Sequence, residues 1–336
     1  MRFFQNANYP FLQWRKRAYL ITAAMLLVGI GSMIYHSARG EGWLHYGVDF
    51  TGGTVVQVSF THPVTAEQVR AAAGHSDWEI TRFGSGNDYV VRTPRFGQEA
   101  GQDAQSRVRQ ALSSRFREVV RGRPGGDFSI ARTEAVGPKA GSELEKRALI
   151  AILLSFVAIL GYLALRFEWR FATAAVIATM HDVLVTLGFL AVTRTEISLG
   201  TVAAVLTVLG YSMHDTIIVF DRVREDLAKP RHGRTFVDIL NKAINETLPR
   251  TLLTVATVMA TLVSLLLFGG PVIFGFTLVL VLGIAIGTFS SIFVASPVLY
   301  EIERRFPRAE KREQAVRSSS AQRSKLARPA AEVRSR

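Results

Sequence analysis

The chain has 336 residues, 49% of them hydrophobic, and no cysteine. It can therefore form no disulfide framework and use no thiol in catalysis. The net charge is +13, but much of the excess lies in the first 17 residues and after Tyr300. These clusters flank apolar runs, a placement typical of membrane proteins rather than of nucleic-acid binders. The sequence contains no Gly-x-x-x-x-Gly-Lys-Ser/Thr loop for nucleotide phosphates.

The amino-terminal stretch predicts a retained membrane span. Residues 1–17 carry four basic side chains and no acidic one, and a continuous apolar run over 18–35 follows. A cleavable signal peptide has an apolar region of only about 7–15 residues and a small-x-small exit. This run is closer to the roughly 17–25 residues that cross a bilayer. We predict a cytoplasmic segment over 1–17 and a first span over 18–36.

Residues 37–147 form a polar stretch of domain size. Strand-like alternation or turn signals mark 53–60, 79–82, 88–92 and 128–136. One helix is predicted to begin after Thr65 with Gln68 completing a capping box, and a second over 102–120. The order β-α-β-β-α-β is that of a ferredoxin-like α+β domain, although patterns of this kind leave other arrangements open.

Five further apolar runs predict five more spans within 148–300. They cover 148–165, 171–192, 197–220, 251–268 and 272–299. The intervening residues 221–250 and the carboxyl tail are rich in Lys and Arg, whereas 193–196 and 269–271 are nearly neutral. This alternation predicts six spans with both termini cytoplasmic and the domain over 37–147 outside. Residues 301–336 are predicted to be a basic cytoplasmic tail, disordered from about 315 onward.

His214 and Asp215 lie inside the fourth apolar run. A carboxylate at the centre of a membrane helix costs roughly 2.5–3.5 kcal/mol on insertion scales. Such a cost is tolerated if the group is used or paired, so we interpret Asp215 as a buried titratable group that faces other helices. The alternative is that it lies at the water interface.

A second His-Asp pair, His181 and Asp182, lies near the centre of the third run. Asp182 shares a small, polar helix face with Thr179 and Thr186, as expected for a helix packed inside a bundle. Two such pairs raise the possibility of a zinc or manganese site. Adjacent helical residues point about 100° apart, however, and the His-Glu-x-x-His motif is absent, so we predict no metal and no other cofactor.

Four segments carry a resemblance to one family. Gly210–Glu225 resembles the fourth-span signature of the SecF proteins of the SecD/SecF export family, except that His214 stands where the family usually has Asn. Gly47–Thr54 resembles the Asp-Phe-x-Gly-Gly signature of the same family, and 245–251 resembles its Asn-x-Thr-Leu-x-Arg-Thr motif. The segment 136–141, Val-Gly-Pro-Lys-Ala-Gly, is also similar to the family before its second span.

The resemblance implies a polytopic α-helical fold, a six-span RND-like half bundle with an inserted ferredoxin-like outer domain. It implies a non-enzymatic subunit in the inner membrane of a bacterium that uses the proton motive force to help export unfolded polypeptides. Its implied partners are SecD, the SecYEG channel and, as a further candidate, YajC. The alternatives are half of a proton-coupled RND-type exporter of small molecules, and an intramembrane hydrolase that uses the His-Asp pairs.

The resemblance also implies roles for particular residues. Asp215 and Arg250 match residues implicated in proton-dependent transport, with Asp182 and His214 as further candidates for proton coupling. Arg250 is expected at the cytoplasmic root of the fifth span, where it either pairs with Asp215 or snorkels to lipid headgroups.

The remaining motif residues are expected to shape the chain. The positions are Asp49, Phe50, Gly52, Gly53, Gly137 and Pro138. The first four predict a rigid turn between membrane helix and strand, with direct substrate contact as the alternative. Gly137 and Pro138 predict a hinge or linker. A polar face along the fifth span, Thr254, Thr257, Thr261 and Ser264, is either a hydrated path or a packing seam. The sixth span carries a small-residue stripe, Gly275, Gly283, Gly287 and Ser291, for close helix approach.

Overall fold

The computed structural model describes residues 7–74, 78–83, 87–93, 106, 110, 128–136, 138–230 and 233–307. Within these ranges, six helical segments are long and apolar enough to cross a membrane. We number them as spans in chain order. Spans 1 to 5 are Arg15–Ala38, Pro138–Arg166, Trp169–Thr193, Leu199–Ala228 and Phe236–Phe268. Span 6 runs over Pro271–Ser290, passes through a π-helical segment, Ser291–Ala295, and ends with Ser296–Arg305. The chain is therefore a multi-pass membrane protein.

Spans 4 and 5 are longer than the apolar runs that predict them. They contain 30 and 33 residues, about 45–50 Å of helix, against a hydrocarbon core of about 30 Å. The prediction that 221–250 forms a long loop was wrong, because only 229–235 connects the two helices. The charged residues of this region lie within spans 4 and 5 and pair with each other between the two helices. Lys242 bonds Asp226 at 3.0 Å, and Arg222 bonds Glu246.

The domain between spans 1 and 2, which we predicted as the outer domain and call by that name, contains a four-stranded antiparallel sheet in the order β2-β3-β1-β4. The strands are β1, Gly53–Phe60; β2, Glu79–Phe83; β3, Asp88–Thr93; and β4, Phe128–Val136. A helix over Ala66–Ala73 begins with the predicted capping box of Thr65 and Gln68. These elements confirm the predicted strands and first helix of the ferredoxin-like order. The predicted helix over 102–120 lies outside the described residues, apart from single helical positions at 106 and 110.

Spans 3, 4 and 6 form the centre of the bundle, and small residues let them approach closely. A Cβ added to Gly287 on span 6 would lie 2.8 Å from the Cβ of Ser212 on span 4. One added to Gly283 would clash with Val208. The predicted glycine stripe is thus confirmed at these two positions, whereas Gly275 has open space around it.

Spans 2 and 5 lie at the edge of the bundle, and much of their apolar surface is exposed. Leu154 and Val157 on span 2 and Leu253 and Leu267 on span 5 all expose more than half of their surface. In a membrane these faces meet either lipid or another protein, since the chain itself does not cover them.

Candidate functional site

Asp215 lies in the interior of the bundle and is only 2% exposed. Span 4 places it there because the face that carries Met213, Asp215 and Thr216 packs inward. Its Oδ2 atom is buried and has no hydrogen-bond partner among the described residues, and Thr288 of span 6 is its neighbour. An unpaired buried charge is costly, whereas a protonated carboxyl is neutral. This incomplete set of partners makes Asp215 a candidate proton-binding group.

Asp182 on span 3 is equally buried, at 1% exposure, but both of its oxygens have partners. The hydroxyl of Ser212 on span 4 donates to Oδ2, and the Nδ1 atom of His181 lies 3.0 Å from Oδ1. Ser290 of span 6 is buried nearby. Ser212, the partner of Asp182, lies about one turn before Asp215 on the buried face of span 4. The two carboxyl groups therefore lie near neighbouring turns of this helix. The structure thus brings Asp182 and Asp215 into one polar interior.

His214 lies outside this interior. Its side chain is exposed on the outer surface of span 4, since successive helical residues are rotated by about 100°. His214 was predicted as a candidate proton-coupling residue, but the structure gives it no place in the buried cluster.

Arg250 stands at the height of Asp215 but does not contact it. Spans 4 and 5 are antiparallel, and Tyr211 on span 4 interacts with Thr254 on span 5. Asp215 lies four residues after Tyr211, and Arg250 lies four residues before Thr254. Because the helices run in opposite directions with the same rise per residue, Asp215 and Arg250 lie at the same height. The Arg250 side chain is nevertheless exposed, and among the described residues it has no ion pair or hydrogen bond. Arg250 is also well inside a helix that begins at Phe236, not at its root.

The polar face of span 5 points outward. Thr254, Thr257, Thr261 and Ser264 are all exposed, and each hydroxyl donates to a carbonyl of its own helix. Within this chain the face is therefore not a packing seam. Its hydroxyls are satisfied without water, so the structure favours neither a hydrated path nor a contact with another protein.

The Asp-Phe-x-Gly-Gly segment forms one short helical turn, Val48–Thr51, that ends at a glycine pair. Gly52 and Gly53 both have positive φ, 71° and 129°, which explains the glycine pair. Asp49 accepts a 2.8 Å hydrogen bond from the backbone N–H of Leu199 and so caps span 4, and Phe50 is buried. Gly137 lies outside the described residues, and Pro138 is the first residue of span 2. A contact between this segment and substrate stays a prediction.

Sequence reasoning missed the role of Asn245 in the Asn-x-Thr-Leu-x-Arg-Thr motif. Its side-chain amide bonds both the N–H and the carbonyl of Tyr9, at 2.8 and 2.9 Å. Asn241, one turn earlier, accepts from the N–H of Leu12. A pair of Asn residues four apart at a helix end was the available signal. The two side chains fasten the amino-terminal segment to span 5.

The side chains of the described residues form no group of three or more His, Cys, Asp or Glu that could hold a metal ion. The adjacent residues His181 and Asp182 bond to each other. His214 and Asp215, by contrast, lie on different faces of span 4, one exposed and one buried.

Comparison with known proteins decides the family. A model of the carboxyl-terminal region of the SecD/SecF protein export membrane proteins matches residues 117–305, and one of the SecD/SecF GG motif matches 43–64. The chain is 42% identical to the protein translocase subunit SecF of Gemmatimonas aurantiaca, over 92% of each chain. It is 38% identical to the SecF subunit of Escherichia coli O157:H7, over 88% of each. The chain belongs to the SecF family.

Solved structures agree with this assignment. The fold matches a crystal structure of SecDF, described as a translocon-associated membrane protein, from Thermus thermophilus, with a TM-score of 0.75 and 31% identity. A second crystal structure, of SecDF in a super-membrane-facing form, matches with a TM-score of 0.62 and 29% identity. The chain spans 40% of the length of each SecDF chain, so those proteins contain a large part that has no counterpart here.

Proposed function

We propose that this chain is the SecF subunit of the Sec export machinery and that, together with SecD, it uses the proton motive force to promote late steps of polypeptide translocation. The observation that carries the proposal is Asp215, a membrane-buried carboxyl whose Oδ2 has no partner among the described residues. It lies within the stretch that resembles the SecF signature, on the central helix of a SecF-family chain.

The proposed mechanism moves a proton on and off Asp215. Transfer of one charge through the full membrane field supplies about 2.3 kcal/mol per 100 mV, enough to bias two conformations of a bundle. Arg250 is at the same height, so a rotation or side-chain swing that brings its guanidinium to Asp215 would stabilise the ionised carboxylate and release the proton. In the present conformation Arg250 does not contact Asp215, and the buried Oδ2 of Asp215 has no partner among the described residues. Alternation between these two states would let Asp215 bind a proton from one side of the membrane and release it to the other side.

The proposed partners follow from what the chain leaves uncovered. SecD would cover the exposed faces of spans 2 and 5, and the SecYEG channel and YajC are further proposed partners. The length that the SecDF structures have beyond the matched part supports a SecD-like complement. The outer domain would contact the emerging unfolded polypeptide. Protons and membrane lipid are further proposed partners. We propose no bond-making activity and no nucleic-acid partner.

We place the protein in the inner membrane with both termini cytoplasmic and the outer domain extracytoplasmic. The basic residues near Lys242 and Arg304 support this orientation, since cytoplasmic segments favour Lys and Arg. A reporter inserted after Gly86 is expected outside and one inserted near Gly233 inside. Finding both on one side would overturn the six-span orientation.

The deciding experiment measures export into inverted membrane vesicles that lack their own SecD and SecF. Vesicles containing this chain with the SecD of the same organism should show more gradient-dependent export than vesicles with SecD alone. An uncoupler should remove the increment and leave gradient-independent export unchanged. The alternative, a small-molecule exporter, instead predicts gradient-dependent dye efflux with no effect on polypeptide export, and that result would overturn the proposal.

A further inference from the structure

The turn between spans 3 and 4, residues 194–198, is bonded to the segment that leads from span 1 into the outer domain. The N–H of Ile197 donates to the carbonyl of His45 at 2.8 Å, and the N–H of Gly47 donates to the carbonyl of Ile197 at 2.9 Å. Tyr46 and Ile197 thereby form a parallel β-bridge. We call this contact, together with the side chains of Asp49, Phe50, Arg92 and Glu196, the root junction. Backbone bonds on both sides of Ile197 hold the turn at a fixed register.

Asp49 and Phe50 extend the junction to the helix itself. The Asp49 carboxylate caps the first turn of span 4 from outside, through the N–H of Leu199. Phe50 is buried in the same hydrophobic cluster as Leu190 of span 3 and Val205 of span 4. The segment and the first turns of span 4 are thus joined by a hydrogen bond and by apolar packing.

The sheet is tied to the same turn by an ion pair. Arg92 of β3 donates to Glu196, and the two side chains are only 17% and 33% exposed. His45 lies between this turn and strand β3. Its Nδ1 is 3.1 Å from the carbonyl oxygen of Arg194, and its Nε2 is 3.4 Å from Nη1 of Arg92. A carbonyl only accepts, so Nδ1 carries the proton and Nε2 is the acceptor. A partly buried pair of this kind is stronger than an exposed one.

We propose that the root junction transmits movement of spans 3 and 4 to the outer domain, with Arg92 and Glu196 as its cross-tie. This inference rests on the proposed function, because spans 3 and 4 carry Asp182 and Asp215. Both helices meet at this turn, so any shift of their ends caused by proton exchange displaces Ile197 and Glu196. Since β3 is bonded to Glu196 and β1 begins two residues after Thr51, the sheet follows. Arg92, Glu196 and Asp49 are therefore positioning residues.

The first test removes the cross-tie in full-length protein, paired with its SecD. Arg92→Gln and Glu196→Gln are each expected to lower gradient-dependent export at least about fivefold, the lower end of typical coupling factors. Gradient-independent export, protein abundance and co-purification with SecD should stay at wild-type levels. The matched control is Glu143→Gln, which breaks the exposed Arg147–Glu143 pair and should have no effect.

A second variant displaces Glu196 without altering any charge. A Cβ added at Gly47 would clash with the Glu196 carboxylate, so Gly47→Ala should reproduce part of the Glu196→Gln defect. Gly31→Ala is the matched glycine control, because a Cβ there meets nothing within 4 Å.

The third test uses the absence of cysteine from the chain. In an Arg92→Cys, Glu196→Cys double variant, a reversible bis-methanethiosulfonate cross-linker should restore gradient-dependent export, and reduction should abolish it again. An inactive cross-linked form with an active reduced form would show that the contact must open, which overturns the proposal. Wild-type export by all of these variants would also overturn it, provided that Asp215→Asn has lost gradient-dependent export. If Asp215→Asn retains it, the proposed role of Asp215 as the proton site fails first.

Discussion

Asp182 and Asp215, the two aspartates in the interior of the bundle, are equally buried but differ in their hydrogen bonds. Asp182 receives a hydrogen bond from Ser212 and bonds His181, so both of its oxygens are satisfied. Asp215, three residues after Ser212, leaves Oδ2 without a partner among the described residues. Burial alone therefore does not separate the two carboxyl groups, whereas their hydrogen bonds do. On this contrast we propose Asp215 as the proton carrier and Asp182 as a structural group.

The largest effect is expected from Asp215→Asn, which removes the titrating group and keeps its shape. The variant should insert and bind SecD normally, since the amide is neutral and a buried neutral group costs less than a buried charge. Gradient-dependent export should fall to the level seen with an uncoupler, measured in inverted vesicles. Full gradient-dependent export by this variant would place the proton site elsewhere, and Asp182 would become the next candidate.

A slightly smaller effect is expected at Arg250. Arg250→Met removes the charge that would stabilise ionised Asp215, so gradient-dependent export should be severely reduced. Arg250→Lys keeps the charge but loses the planar guanidinium fork, so its defect should be partial. Because Arg250 is exposed and has no ion pair with any residue that the structure describes, neither change should lower protein abundance. If Arg250→Met matched the wild type, the arginine would serve only to contact lipid headgroups.

Asp182→Asn should affect stability more than transport. The amide keeps one oxygen, but its NH₂ group faces either Ser212 or His181, which disturbs a bonded pair. We expect a loss of about 1–3 kcal/mol in unfolding free energy, typical of an unsatisfied buried polar group. Thermal unfolding in detergent checks this, together with export normalised to protein level. A loss of gradient-dependent export at normal protein level would contradict the structural assignment and erase the contrast with Asp215.

The sequence predicted regular elements well and contacts between elements poorly. Strands β1 and β4 have the predicted bounds, because alternation and flanking turn residues are local signals. The ends of spans 4 and 5 were missed because a run of charges resembles a loop, although Asp226 and Lys242 pair between helices. Asp215 was correctly placed in the interior, since a carboxylate inside an apolar run has a definite cost. The outward direction of Arg250 depends on helix rotation, which a single sequence does not contain.

The smallest effect is expected from His214→Asn, which introduces the residue that the family usually has at this position. The ring is exposed on the outer surface of span 4 and lies outside the cluster of Asp182, Ser212 and Asp215. An exposed substitution away from buried contacts typically changes stability by less than about 0.5 kcal/mol. Gradient-dependent export and its dependence on pH should both match the wild type. A pH profile that shifts in His214→Asn while protein level stays constant would show that the outer surface of span 4 takes part in proton exchange. The distinction between a buried proton site and a passive exterior would then fail at this residue.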